Sequence, residues 1–342
     1  MIKLIEPGFS TEVEKILFGF GIKVDKISKN SNNNFDIYDI SLRHGVKFSK
    51  VEGLLTEIGV GLKSKSIPRG YPVLEKGIYR IEVQRESLQA PKLNEFFNLF
   101  DNKFCPIAIG NDISGNPIVA DLSLFPNLLI AGATGSGKSV VLHNIILSLI
   151  NNGSRVHLID PKMVEFSSYE DRKEVHDICY DIEESKALID SLRKKMEGRF
   201  AILRSFKCRN IHEYNEQTDC KMPPIVLVID EWADLVLQDK KIELPLCKLA
   251  QKGRAAGISI VLATQRPSTK VISGLIKANF LGRISMRVSN SIDSRIILDR
   301  SGSEKLKEIG TGIFIDNKQN FLTFKSPYVS NIDKFLEENI DS

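Results

Sequence analysis

Apolar positions along this chain fall into two regimes. In the first part they are sparse and their period changes repeatedly. Residues 11–27 read as a helix followed by a strand, IKVDKI. FDIYDISL at 35–42 alternates as a strand, with Phe35, Ile37 and Ile40 only partly in register. SKVEGLLTEIGVGL at 49–62 has helical spacing, with Val51, Leu54, Leu55 and Ile58 on one side, and YRIEVQR at 79–85 alternates again. The Asn-rich SKNSNNN at 28–34 reads as a loop. Residues 1–88 are therefore expected to form a small α+β subdomain. QAPKLNEFFNLFDNKF, with Pro91 near its start, is the expected linker over 89–104.

From residue 105 the pattern changes. Short, almost wholly apolar runs alternate with helical stretches: NLLIA (127–131), RVHLID (155–160), PIVLVID (224–230), SIVLAT (259–264), RISMRV (283–288) and GIFID (312–316). Strands that are apolar on both faces and separated by helices imply a parallel sheet covered on both sides. The expected class is α/β, with a RecA-like P-loop NTPase core over 105–328 and a short tail over 329–342.

One octet gives that core a chemistry. Residues 132–139 read GATGSGKS, directly after the apolar run NLLIA and directly before SVVLHNIILSLI, which reads as a buried helix. This is G-x-x-x-x-G-K-[ST] in its strand, loop, helix context. Gly132, Gly135 and Gly137 let the backbone turn tightly and aim successive N–H groups at a triphosphate. Lys138 supplies a point charge for the β- and γ-phosphates, and the Ser139 hydroxyl is placed to ligate Mg2+. Gly132, Ala133, Thr134, Gly135, Ser136, Gly137, Lys138, Ser139 and Val140 are the candidate ATP contacts.

Other strand ends carry polar groups. PIVLVIDEWADL ends a buried strand on Asp230 and Glu231, where bare charge is costly unless it is used. Asp230 is the candidate Mg2+ ligand and Glu231 the candidate general base; the plainer alternative is a helix N-cap pair. SIVLATQRPS sets Gln265 and Arg266 at another strand end, as a γ-phosphate sensor or as a turn opener before Pro267. LIDPKMVEF offers Asp160, either to assist at the Mg2+ site or to cap the next helix. RISMRVSNSIDSRIILDR holds Arg283, Arg287, Arg295 and Arg300, open as an arginine finger, as DNA phosphate contacts, or as solvated surface. Lys305 and Lys307 alternate with glutamates, as on a solvated helix face.

The bulk numbers bound this reading. The chain has 342 residues, 42% hydrophobic and 26% charged, with a net charge of +4. That charge is too small to establish nucleic-acid binding, so any basic surface must be local. Five cysteines, with no C-x-x-C and no zinc-ligand spacing, read as reduced thiols in a reducing compartment, hence a cytoplasmic expectation. No apolar stretch approaches the roughly 20 residues that span a bilayer, and no signal peptide is read at the N-terminus.

At this level of detail the motifs resemble one family. GNDISGNPIVADLSLFPNLLIAGATGSGKS (110–139), LIDPKMVEFSSY (158–169), VLVIDEWADLVL (226–237), LAQKGRAAGISIVLATQRPSTKVISGLIKANF (249–280) and RISMRVSNSIDSRIILD (283–299) are similar to the motor domain of the FtsK/SpoIIIE family of DNA translocases. GVKFSKVEGLLTEIGVGL with SIPRGYPVLEKGIYRIEV resembles the α subdomain of that family. The resemblance implies a homo-oligomer, a hexameric ring with double-stranded DNA through its centre and ATP between subunits. By position it implies Lys138, Glu231, Gln265 and a trans-acting Arg283 in catalysis, with Ser139 and Asp230 at Mg2+. It also implies Arg295, Lys305 and Lys307 on a pore loop that touches the DNA backbone. No membrane segment and no winged-helix domain is read, so septal anchoring and sequence-guided direction are not expected. The alternatives are a conjugation-type coupling ATPase on single-stranded DNA, a protein-export ATPase, or a degenerate P-loop domain.

Overall fold

The computed structural model describes residues 9–31, 35–64, 67–84, 90–316 and 320–340. They divide into two compact units, residues 1–89 with 113–116, and residues 90–112 with 117–342. The expected boundary near residue 88 and residues 32–34 of the Asn-rich run lie outside the described residues.

The first unit is an antiparallel sheet of β1 (Val24–Ser31), β2 (Phe35–Leu42), β3 (Arg69–Val73) and β4 (Ile78–Gln84), in the order β1-β2-β4-β3. One face collects Tyr38, Ile40, Tyr79 and Ile81 against Val13, Leu17, Val51 and Ile58 from the helices. Asp39 and Arg80 sit directly opposite across β2 and β4 and pair through two bonds of 2.7 and 2.8 Å. Two expectations change here. Residues 28–31 continue β1 as a mostly exposed edge strand, which their polarity disguises as loop. The helix expected over 49–62 is two, Phe48–Glu52 and Leu55–Gly61, the first ending at Gly53.

The second unit holds one sheet of ten strands. In chain order these are β5 (Pro106–Asp112), β6 (Pro117–Asp121), β7 (Asn127–Ala131), β8 (Arg155–Ile159), β9 (Val175–Cys179), β10 (Ile225–Ile229), β11 (Ile258–Thr264), β12 (Gly282–Met286), β13 (Thr311–Ile315) and β14 (Phe321–Lys325). Their spatial order is β6-β5-β14-β13-β12-β7-β11-β10-β8-β9. The run β12-β7-β11-β10-β8-β9 is parallel throughout. The remaining strands, the expected GIFID strand among them, are antiparallel, so the sheet is mixed rather than wholly parallel. Central strands alternate between two cores. Leu128, Ile130, Val226 and Val228 face the helix Lys138–Asn151, with Ile145 and Leu149. Leu129, Ala131, Leu227 and Ile229 face the other side, with Leu192, Trp232 and Leu246 from three further helices. Burial on both faces is why these strands read as continuous apolar runs.

Neither the linker nor the tail stands apart. Leu93, Phe96 and Phe100 are buried in the same core as β5, and Phe97 meets Phe335 edge to face at 6.1 Å. Leu336 on the helix Ile332–Asn339 is buried there as well. All five cysteines are free, and four are buried. Among the described residues no helix is long and apolar enough to cross a membrane.

A buried histidine marks the β8–β9 edge. His157 is fully buried, its Nδ1 lies 2.6 Å from Asp177 Oδ2, and its ring stacks on His176. Nε2 is buried with no hydrogen-bond partner, so a second proton there would be an unsatisfied donor. Burial pushes the imidazole down to about 4 from 6.5, against the pull of Asp177. A lowered folded-state value means that the unfolded chain binds the proton first. His157 therefore contributes stability above pH 6.5 that is lost as pH falls through about 4. Unfolding midpoints of wild type and His157→Phe, measured across that window, should show a shallower acid loss in the variant; equal slopes would contradict this assignment.

Candidate nucleotide site

The glycine loop lies between β7 and the helix Lys138–Asn151, so successive loop amides open toward the N-terminal end of that helix. Gly135 and Gly137 take positive φ of 73° and 99°. At Gly137 even a methyl group would stand 2.9 Å from the Gly310 backbone. Neighbouring strands pin the loop from outside. The Ala133 amide donates to the Arg287 carbonyl at 2.9 Å, and the Gly310 amide donates to the Ser136 carbonyl at 2.9 Å.

Lys138 and Asp230 meet beneath the loop. Lys138 Nζ donates to Asp230 Oδ1 at 2.6 Å and to the Asp230 carbonyl at 3.1 Å, with the side chains 3% and 1% exposed. Burial raises the Asp230 carboxyl above its ordinary value, against the opposing pull of Lys138. Its Oδ2 is buried without a hydrogen-bond partner, as is Ser136 Oγ. An orphaned carboxylate oxygen on Asp230, and a Ser139 hydroxyl that gives its hydrogen to Glu165 and keeps its lone pairs, are hard oxygen donors of the kind Mg2+ takes. Ser139 and Asp230 therefore fit the metal expected of them.

Glu231 is as buried as Asp230, and four groups aim at its carboxylate. Oε1 accepts from Thr264 Oγ1 at 2.7 Å and from the Ala233 amide at 3.4 Å, and Oε2 accepts from the Gln265 amide at 3.0 Å. Lys162 Nζ stands 3.5 Å from Oε2. Glu231 thus caps the helix Trp232–Gln238 and at the same time points one oxygen toward a half-exposed lysine. Gln265 reaches the loop itself, its Oε1 accepting from Thr134 Oγ1 at 2.9 Å.

The segment after β8 contributes residues that sequence reasoning missed. Asp160 is fully buried and its carboxylate accepts from the amides of Lys162, Val164, Glu165 and Phe166. It shapes this loop from within; the next helical turn, Ser167–Tyr169, has no side-chain cap, so Asp160 holds a loop rather than capping a helix. So folded, the loop sends Lys162 to Glu231 and sends Glu165 to the P-loop, where Ser139 Oγ donates to Glu165 Oε1 at 2.9 Å. His143 Nε2 stands 3.5 Å from the other Glu165 oxygen, and His143 Nδ1 bonds the buried Tyr169 hydroxyl at 3.0 Å. The His143 contact, helped by Ser139 and Lys138, holds the Glu165 carboxyl below its ordinary value despite burial. A local signal existed in the acid that comes after Asp160-Pro161-Lys162, but nothing in the sequence names its partner.

The arginine-rich segment spreads over β12, the helix Ser291–Leu298 and the turns that follow them. Arg283, on β12, is held inside its own chain. Its guanidinium donates to the carbonyls of Phe280, Ile297 and Lys277 and pairs with Asp299. A side chain 12% exposed with these partners clamps β12 to the helix Ser291–Leu298 within the chain. Arg254 is exposed, with one bond to the Ser123 carbonyl. Arg300 stacks on Phe321 at 4.2 Å. Arg295, Lys305 and Lys307 are exposed on adjoining elements joined by Ser294, whose hydroxyl bonds Arg300 and Ser303.

A strand, a glycine loop and a helix, with the loop lysine on a strand-end aspartate in a sheet of this order, define a RecA-like P-loop ATPase domain. The FtsK/SpoIIIE family model matches residues 100–269, and the DNA translocase FtsK of Helicobacter pylori strain J99 is 38% identical over 309 residues. The chain belongs to the FtsK/SpoIIIE family. That alignment takes in 86% of this chain and 37% of the relative. The DNA translocase FtsK of Clostridium tetani is 39% identical, over 89% of this chain and 43% of its own. The chain thus spans less than half the length of these relatives. Among solved structures, the pCW3 conjugation coupling protein TcpA, a monomer form with ATPγS, superposes with a TM-score of 0.70 at 24% identity, covering 95% of this chain and 98% of that one. The cytoplasmic domain of the Type VII secretion ATPase EccC of Thermomonospora curvata gives 0.64 at 22% identity, covering 73% of this chain and 34% of that one. These two share the fold.

If Arg283 is a clamp, Arg283→Ala should lower unfolding free energy by about 1–3 kcal/mol, since several carbonyls and Asp299 lose their donor together. Asp299→Asn should cost less, because that carboxylate is 60% exposed and its pair is screened by water. Chemical denaturation decides this. An Arg283→Ala protein of wild-type stability would return the guanidinium to the role expected in trans.

Proposed function

We propose that this chain is the motor part of an ATP-driven translocase of double-stranded DNA, acting in the cytoplasm as a ring of identical subunits, six by the family resemblance. The observation that carries the reading is the buried Lys138–Asp230 pair under the glycine loop, with Ser139 and Glu231 beside it. A degenerate P-loop would have no reason to keep two buried acids and a buried lysine at this spot. Relatives named DNA translocases, at 35–39% identity, favour DNA over an exported protein as the polymer. The four buried thiols, all unpaired, fit a reducing compartment.

In this reading Lys138 turns from Asp230 to the β- and γ-phosphates when ATP enters, while the loop amides hold the phosphate oxygens. Ser139 and Asp230 would hold Mg2+, which would neutralise charge at the phosphates. Glu231, fixed by Thr264 and the Gln265 amide, orients and deprotonates the attacking water. The Gln265 side chain, bonded to Thr134, links the loop to the end of β11 and so reports on the γ-phosphate. Arg295, Lys305 and Lys307 hold DNA by its phosphates, which supports affinity without base readout.

The test compares steady-state ATP hydrolysis with no polymer, double-stranded DNA, single-stranded DNA and an unfolded protein. Double-stranded DNA should stimulate most, with the same effect from two unrelated sequences. Lys138→Ala should abolish hydrolysis, whereas Glu231→Gln should bind ATP and fail to turn it over. Greater stimulation by single strands would favour a coupling ATPase, and stimulation by unfolded protein an export ATPase. A Glu231→Gln protein at the wild-type rate would remove Glu231 as the base.

A further inference from the structure

Three side chains that no phosphate-binding motif requires, Tyr169, His143 and Glu165, form a chain that ends on Ser139. The Ser139 hydroxyl donates to Glu165 at 2.9 Å, and Asp230, the other expected metal ligand, is occupied on one oxygen by Lys138 and bare on the other. A serine that ligates a cation does so through an oxygen lone pair, so its hydrogen must point elsewhere. Glu165 is the acceptor that takes it. This fixes the direction of the remaining bonds. A carboxylate only accepts, so the His143 nitrogen facing Glu165 carries a hydrogen, and in the neutral imidazole Nδ1 then accepts from Tyr169. Tyr169 is fully buried, and His143 also packs against the Phe166 ring, so the chain Tyr169 to His143 to Glu165 to Ser139 has a fixed anchor. Asp160 sets the backbone from which Glu165 projects.

We propose that Glu165 is a positioning residue for Mg2+ binding: it orients the Ser139 hydroxyl toward the metal, and His143 with Tyr169 holds the Glu165 carboxylate in place. This rests on the Mg2+–ATP reading of the site. Groups that orient a metal ligand through a hydrogen bond are typically worth about 10–100-fold in metal affinity.

The test uses the full chain and ATPγS, with affinity measured by calorimetry in Mg2+ and again in EDTA. The ratio of the two affinities isolates the metal. In Glu165→Ala the ratio should fall about tenfold, with the EDTA affinity unchanged or tighter, since a negative charge near the phosphates is gone. His143→Phe, which keeps a ring against Phe166 and Tyr169, should show a smaller loss in the same direction. Ser139→Ala should lower the ratio too, and the double variant Ser139→Ala/Glu165→Ala should fall no further than Ser139→Ala alone. Additive losses, an unchanged ratio in Glu165→Ala, or an equal loss in EDTA would overturn the inference while leaving the nucleotide site standing. An unchanged ratio in Ser139→Ala would remove the metal from Ser139, and both readings would fall together.

Discussion

Lys138 and Asp230 face each other at 2.6 Å with almost no access to water, and much of the domain is arranged so that this is tolerable. A buried ion pair gains little net stability, yet removing one partner strands a charge and costs several kcal/mol. Each partner must therefore be held in place by something else. Lys138 opens a helix whose other residues fill the core against β7, β8 and β5, and Asp230 ends β10, a strand buried along its whole length. The glycine loop closes over them, pinned to the Arg287 and Gly310 backbone. The pair keeps the lysine in the cleft, facing the side where phosphate oxygens enter, with a partner it can exchange.

A second layer of acids surrounds the pair and divides the labour. Glu231 is immobilised by a hydroxyl and two amides, and Glu165 by a serine and a histidine. Asp160 touches neither the lysine nor the serine; its carboxylate is spent on four amides of one loop. That loop joins the two sides of the site, since it delivers Lys162 to Glu231 and Glu165 to Ser139. The Glu231 side of the site thus has a short covalent route to the Ser139 side, through a few residues of backbone held by one aspartate.

How much of this was legible in the sequence depends on how local each feature is. The glycine loop with its lysine is one short run and the acidic strand end another, and each has residue types that phosphate-site chemistry would select. The central strands were legible because burial on both faces removes polar residues from them. Edge strands β6 and β9, and β5 and β14 beyond the parallel run, mix polar, charged and Pro positions with apolar ones, and much of their pairing is set by neighbours far along the chain. Residues 89–104 read as a linker because Pro91 stands near their start, whereas Leu93, Phe96 and Phe100 are buried in the core. Glu165 and His143 stand 26 residues from their partners Ser139 and Tyr169, and only the fold brings them together. Arg283 was placed by resemblance; its ties to Asp299 and three carbonyls depend on a helix terminus that no motif specifies.

Bonds among the glycine loop, the segment 160–166 and the end of β11 predict that the three respond to nucleotide as one site. Amide hydrogen exchange with and without Mg2+–ATPγS tests it directly. Slowed exchange is predicted in residues 132–139, in 160–166 and around Gln265 together, at the same nucleotide concentration. Protection confined to 132–139, with 160–166 exchanging as in the free protein, would contradict it.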